Sequence, residues 1–187
     1  MESNFSFLPF KNLESERLLL RRLTNEDVHE VFQLRSDPEM MKYIPRPLLT
    51  NHDEALAHIQ MINDKIENNE GINWAVTLKG SPKLLGIFGI YRIYWEHFRA
   101  EIGYMLLPEY QGKGITTEAI SLLINYGFNE MNLHSLEAII DPRNLASARV
   151  LEKSKFRKEA HFIENECYDG VFRDTAIYSL LQKNYNQ

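Results

Sequence analysis

Gln111-Gly112-Lys113-Gly114-Ile115-Thr116 separates a short apolar run, Ala100 to Leu107, from a longer run, Thr116 to Met131. In the longer run Ile120, Leu123, Ile124, Gly127, Phe128 and Met131 recur at the helical period. A strand that ends on a glycine-rich turn and reopens as a helix sets main-chain N–H groups and a helix N-terminus where phosphate oxygens can sit. Taken alone, Gly-x-Gly is equally a tight strand-to-helix turn. Spacing excludes two nucleotide readings. A P-loop carries Lys then Ser or Thr after its second glycine, but here Lys113 precedes Gly114 and Ile115 follows it. A dinucleotide fingerprint wants Gly or Ala where Thr117 stands, and opens a parallel βαβ unit.

Upstream of the turn the pattern is that of hairpins. Asn73 to Leu78, Leu84 to Ile93 and Ala100 to Leu107 are branched and aromatic runs separated by Gly80-Ser81-Pro82 and by Glu96-His97-Phe98-Arg99, which predicts antiparallel strands. Before them, Arg17 to Leu23 reads as a strand, Thr24 as the cap of a helix carrying Val28, Val31 and Phe32, and Thr50 as the cap of a helix carrying Ala55, Ile59, Ile62 and Ile66. Downstream, Ser135 to Ile140 completes a strand, helix, strand crossover and therefore a parallel pairing. Asp141-Pro142-Arg143-Asn144 is a turn whose Asn144 caps a further helix with Ala148 and Leu151 facing inward, and two strands close the chain near 156–163 and 173–181. The chain from Glu14 to Gln187 is expected to be one mixed α+β domain, with residues 1–13 a tail or leading segment.

Among 187 residues, 44% are hydrophobic and 25% charged, an ordinary globular mixture, and no apolar run approaches the roughly 20 residues that span a bilayer. The start, Met1-Glu2-Ser3-Asn4-Phe5, lacks the basic and apolar pattern of a signal peptide. Cys167 is the only cysteine, so no internal disulfide can form, and a cytoplasmic location is expected. A net charge of −5 argues against nucleic acid as a partner and suits a cationic acceptor such as an amine. The six histidines share no ligand spacing and stand in no nucleophilic triad, so neither a metal nor covalent catalysis is expected.

Taken in order, these motifs resemble the GNAT superfamily of N-acetyltransferases. They resemble more closely the RimJ/RimL-like branch, which acetylates ribosomal-protein N-termini. Glu14-Ser15-Glu16-Arg17-Leu18-Leu19-Leu20-Arg21 is similar to that branch's start, and Ala100-Glu101-Ile102-Gly103-Tyr104 to its fourth strand. Tyr110 to Ile115 with Thr117-Glu118-Ala119 resembles its cofactor loop and helix, and Asn144 to Lys153 its second cofactor segment. The resemblance implies a mostly antiparallel sheet of about seven strands flanked by about four helices, with two parallel strands splayed at an acetyl-coenzyme A site. It implies that Gln111, Gly112, Lys113, Gly114, Ile115 and Thr116 wrap the pyrophosphate. Main-chain groups of Met105, Leu106 and Leu107 would meet the pantetheine arm, as would Asn144, and coenzyme A would leave as product. Three positions depart from the family pattern: Thr116 replaces Gly or Ala, Lys155-Phe156 replaces Gly-Phe, and Leu151 stands where many members carry a tyrosine general acid.

Two side chains are candidates for proton handling. Glu101 is a carboxylate on an otherwise apolar strand beside the cofactor, suited to accept a proton from the attacking amine directly or through water; it is also readable as a solvated strand-edge charge. Ser147 lies one turn after Asn144 on the same helix face, within reach of the departing thiolate, though a helix serine more commonly bonds its own backbone. The expected reaction is acetyl transfer to a primary amine by direct attack. A protein N-terminal α-amine heads the acceptors, and an aminoglycoside, a polyamine or an amino-sugar are alternatives. A domain that only binds acetyl-coenzyme A is a third reading, encouraged by Leu151 alone. The motifs are compatible with a monomer or a homodimer.

Overall fold

The computed structural model describes residues 5–185, and its strands fall where branched and aromatic residues cluster. They are β1 (Leu13–Glu14), β2 (Leu18–Arg21), β3 (Ile72–Leu78), β4 (Leu84–Tyr94), β5 (Arg99–Leu106), β6 (Ser135–Ile140), β7 (Arg157–Tyr168) and β8 (Val171–Leu181). They form one sheet in the order β1-β2-β3-β4-β5-β6-β8-β7, antiparallel at every seam except β5 with β6. Eight strands stand where about seven were expected, because Leu13 and Glu14 fold back onto Leu20 and Leu19, a pairing too short to leave a periodic signal.

The helices are α1 (Val28–Ser36), α2 (Pro38–Met41), α3 (His52–Glu67), α4 (Ile115–Asn125), α5 (Leu145–Lys153) and α6 (Gln182–Tyr185). The two beyond the expected four, α2 and α6, are single turns. In α3 the buried stripe is Ala55, Ile59, Ile62 and Ile66, as its period predicts. Its cap is Asn51 and not Thr50: the Asn51 Oδ1 accepts from the Glu54 N–H at 2.9 Å, while Thr50 donates its own N–H and hydroxyl to the Glu54 carboxylate at 2.7 and 2.9 Å. Helix α4 ends six residues earlier than its pattern suggests and continues as a π turn, Tyr126–Glu130. That wide turn brings Gly127 against Leu136, where an added Cβ would lie 3.2 Å from the leucine side chain.

Helices α1 and α3 pack together on one face of the sheet, α4 and α5 on the other. The buried centre is a row of residues paired across neighbouring strands, Trp74 with Phe88 and Phe88 with Tyr104. Trp74 meets the Tyr126 ring edge-on at 5.1 Å and donates its indole N–H to the Lys11 carbonyl at 2.9 Å. No described helix is long and apolar enough to cross a membrane.

The leading segment joins this core. Phe7 is 1% exposed, its N–H donates to the Asn69 Oδ1 at 3.0 Å, and the Phe5 ring lies 5.3 Å from Phe7 and 5.5 Å from Trp95. Phe5, Phe7 and Phe10 follow no helical or strand period, so nothing local announces that they are held. Residues 1–4, at the head of the expected tail, and the last two residues lie outside the described residues. Phe7→Ala is expected to cost roughly 3–5 kcal/mol in a denaturant melt, as for a large ring removed from a core. For a loosely held tail the unfolding free energy would change by no more than about 0.5 kcal/mol.

Candidate active site

The parallel seam is short. β5 and β6 pair only at Arg99 with Ser135, Ala100 with Leu136 and Glu101 with Glu137, although both strands run on. Beyond Glu101, β5 stays with β4 as far as Leu106, and β6 stays with β8 as far as Ile140. A gap therefore opens between them. The Leu107 N–H donates to the Leu85 carbonyl at 2.8 Å, and the Phe98 carbonyl faces β6, accepting from Ser135. Alternation along β5 thus turns the main chain of Gly103, Met105 and Leu107 toward β4, and that of Ile102, Tyr104 and Leu106 into the gap. Of the three residues expected to meet an extended ligand, Leu106 is the one aimed into the gap. Its carbonyl accepts from the Gln111 side chain at 3.1 Å.

Gln111 to Thr116 lie at the wide end of this gap, after a 3-10 turn at Pro108–Tyr110. Gly112 and Gly114 take φ +72° and +78°, a left-handed conformation that side chains oppose. Gly114 is the N-cap of α4 and has no side chain to close the helix end, so its first N–H groups face outward. Lys113 holds its ammonium 5.6 Å over the Tyr110 ring, at the rim. Arg17 on the loop before β2 donates to the Glu118 carboxylate through Nε at 2.8 Å and through Nη2, and to the Lys113 carbonyl through Nη1 at 3.3 Å. The Ser15 hydroxyl donates to the other Glu118 oxygen at 2.6 Å. These contacts hold the Glu118 carboxylate below the usual carboxylate range, against the opposing pull of burial.

On the far wall, Asp141 orders the turn before α5. Its carboxylate accepts from the Arg143 N–H and guanidinium at 2.9 Å, and its carbonyl accepts from the Asn144 N–H at 2.9 Å. Asn144 then caps α5 through Oδ1, accepting from the Ser147 N–H at 3.0 Å. Its amide N–H₂ has no protein acceptor among the described residues, so capping and ligand binding are compatible roles. Ser147 is 9% exposed, and its Oγ lies 2.7 Å from the Tyr104 hydroxyl of β5. Leu151 is fully buried.

Glu101 sits at the last residue pair of the seam. It is 4% exposed and far from a solvated edge charge. The Arg92 Nη1 donates to its Oε2 at 2.7 Å, from a bulge in β4 where Arg92 takes φ +46°. Tyr91, its partner on β4, turns its hydroxyl toward the same carboxylate and lies over Gly103; a Cβ there would fall 1.9 Å from the Tyr91 oxygen. Burial pushes the Glu101 pKa up, and Arg92 pulls in the other direction; the net shift is upward. Successive side chains of β5 point to opposite faces, so Glu101 and Tyr104 flank the gap from opposite sides.

Of the expected site residues, Gln111 to Thr116 lie at one end of the gap, Leu106 along an edge, Asn144 and Ser147 on the far wall and Glu101 at the apex, whereas Met105 and Leu107 turn their main chain to β4. Arg17, Arg92, Tyr91 and Tyr104 were not singled out by role. The motif start and the cofactor helix are separate segments of the sequence, yet Arg17 and Glu118 join them in one ion pair across 101 positions. Strand alternation was the available signal for Tyr104, but its contact with Ser147 depends on where α5 docks.

The open main-chain edge, the left-handed glycines and the uncapped helix end form a cradle that fits an extended chain ending in a pyrophosphate. Comparison with known proteins agrees. Residues 17–157 match the family model described as an acetyltransferase (GNAT) domain. The chain is 36% identical over 175 residues to an uncharacterized N-acetyltransferase, p20, of Bacillus licheniformis, covering 94% of this chain and 98% of that one. A solved GNAT-family acetyltransferase of Bacillus anthracis superposes with TM-score 0.82 at 31% identity, over 92% of this chain and 99% of that one. Spermidine N-acetyltransferase from Vibrio cholerae, solved with CoA and spermine, superposes with TM-score 0.80 at 25% identity, over 92% and 100%.

Acetyl-coenzyme A is expected to stabilise the folded protein by about 2.7 kcal/mol at 100 times its dissociation constant. Gly114→Val places a bulky side chain in a left-handed position at the cradle. Calorimetric titration should then show coenzyme A affinity falling by at least about tenfold, equivalent to ~1.4 kcal/mol, while circular dichroism shows the fold retained.

Proposed function

The chain belongs to the GNAT acetyltransferase family and is an acetyl-coenzyme A-dependent acyltransferase, and we propose that its acceptor is a primary amine, the α-amine of a peptide or protein N-terminus, which attacks the thioester directly. The observation that carries this reading is Glu101, a buried carboxylate held at the apex of the gap with Arg92 on one of its oxygens. Acetyl-coenzyme A supplies the acetyl group activated as a thioester. The amine lone pair forms the new N–C bond, the C–S bond breaks with its electrons to sulfur, and the proton lost by the amine passes to Glu101. Gln111 to Thr116 hold the pyrophosphate, the Leu106 edge and Asn144 hold the pantetheine arm, and Ser147 donates a hydrogen bond to the departing sulfur. Thr116 in place of Gly or Ala keeps a small side chain in this loop.

Even with burial raising its pKa, a carboxylate such as Glu101 remains a weak base. It suits an α-amine, whose pKa of about 7.7–8.0 leaves it partly neutral, better than an alkyl amine near 10. The RimJ/RimL-like start and cofactor helix support the same acceptor. A polyamine is the second reading, favoured by the likeness to a spermidine enzyme and by Glu137 beside Glu101 on the same face. Thiol release measured with short N-terminal peptides and with spermidine separates the two. Peptides are expected to turn over at the higher kcat/KM, and a preference for spermidine would transfer the assignment to the polyamine.

Glu101→Gln is expected to lower the rate by about 10²–10⁴-fold near neutrality and to recover partly at high pH, where solvent supplies free amine. Arg92→Met leaves the buried carboxylate without its cation, so its pKa rises further. Because the base must be ionised, the acid limb of the pH–rate profile should move to higher pH by about 1–3 units. An unmoved limb would remove Glu101 from the proton path.

A further inference from the structure

We infer that Tyr104 is a positioning residue for the departing thiol: it donates to the Ser147 Oγ, leaving the serine proton free to point into the gap between β5 and β6. This rests on the reading above, which places the donor's sulfur in that gap. The family's tyrosine position is Leu151, a fully buried side chain seven residues after Asn144, so α5 itself brings no phenol to the gap. Tyr104 brings one from the opposite wall. Its hydroxyl is 2.7 Å from the Ser147 Oγ, and its ring stacks on Phe88 with centroids 5.5 Å apart and planes 23° from parallel.

Both partners are held. The Ser147 main chain is fixed by its N–H on Asn144 and the Tyr104 ring by its strand and by Phe88, so the two hydroxyls are presented to each other from rigid elements. Each hydroxyl carries one proton, and two arrangements are possible. If Ser147 donates to Tyr104, the phenol proton has, among the described residues, the Ser147 carbonyl at 3.5 Å as its remaining acceptor, a long contact. If Tyr104 donates to Ser147, the serine proton is free to meet a new acceptor. A thiolate only accepts, so its formation selects the second arrangement.

Tyr104 does not give up its proton. Burial raises its phenol to about 12, far above a thiol at about 8.5, so a thiolate cannot draw that proton through the serine. The contribution is a hydrogen bond aimed in advance at developing charge.

Tyr104→Phe keeps the stack on Phe88 and removes only the hydroxyl. Its kcat is expected to fall roughly tenfold with KM for the acceptor unchanged, the loss of one hydrogen bond to a charged group. Ser147→Ala should fall comparably, and the double variant no further than the worse single one, because the two hydroxyls act as a unit. A second readout needs no acetyl transfer. Above the thiol's ordinary pKa of about 8.5, the native protein should prefer coenzyme A over desulfo-coenzyme A, and Tyr104→Phe should lose most of that preference while desulfo-coenzyme A affinity stays put. Losses that multiply in the double variant would overturn the inference, as would native thiolate preference in Tyr104→Phe. An equal drop in affinity for both ligands would overturn it in favour of a purely structural contact. A native protein that shows the thiolate preference yet acetylates no amine would instead overturn the acceptor assignment and leave the role of Tyr104 standing.

Discussion

Two parallel strands that hold each other for three residues and then part are the constraint from which the rest of the site follows. Each strand is committed on its outer side: β5 is hydrogen-bonded to β4, and β6 to β8. The gap between them therefore cannot close by sliding, since either strand would have to abandon a full antiparallel partner. Main-chain donors and acceptors left facing one another across such a gap are costly unless something polar and extended lies between them. An amide-bearing arm of a ligand meets that need. The same separation sets the wide end where the glycine turn and the open end of α4 stand.

The pleat of β5 then divides the chemistry. Glu101 faces the side on which α1 and α3 pack, and Tyr104 faces α5. The carboxylate proposed as base and the phenol proposed to aim the Ser147 hydroxyl thus lie on opposite sides of one strand, three residues apart in sequence. This is the arrangement that transfer between an incoming amine and an outgoing thiol requires. Gly103 between them carries no side chain because the Tyr91 ring occupies its space.

Much of this frame was legible beforehand. The stripe of α3, the capping Asn144, β6 and the switch from hairpins to a parallel crossover were all predicted by local period and turn chemistry. Features decided by distant partners were not. Asn51 caps α3 because Thr50 is drawn to the Glu54 carboxylate, and the end of α4 widens to accommodate Leu136. Phe7 is buried because Asn69 and the rings of the core receive it, though nothing in the local pattern requires it. Likewise the candidate site residues that lie in motifs are visible in the sequence, whereas the placement of Arg92 and Tyr104 depends on a bulge and on a helix docking against a strand.

The Arg17–Glu118 contact ties the glycine turn before α4 to the start of β2. Loop closure over about a hundred residues is entropically expensive and is repaid only when both ends have docked. Cradle formation is therefore coupled to late, non-local folding, and local opening of β2 would loosen a loop near position 113 that shares no sequence neighbourhood with it. Ligand held by that loop would, by the same linkage, suppress opening at the chain's beginning. Amide exchange in the first hairpin would thus become a remote gauge of occupancy at the glycine turn.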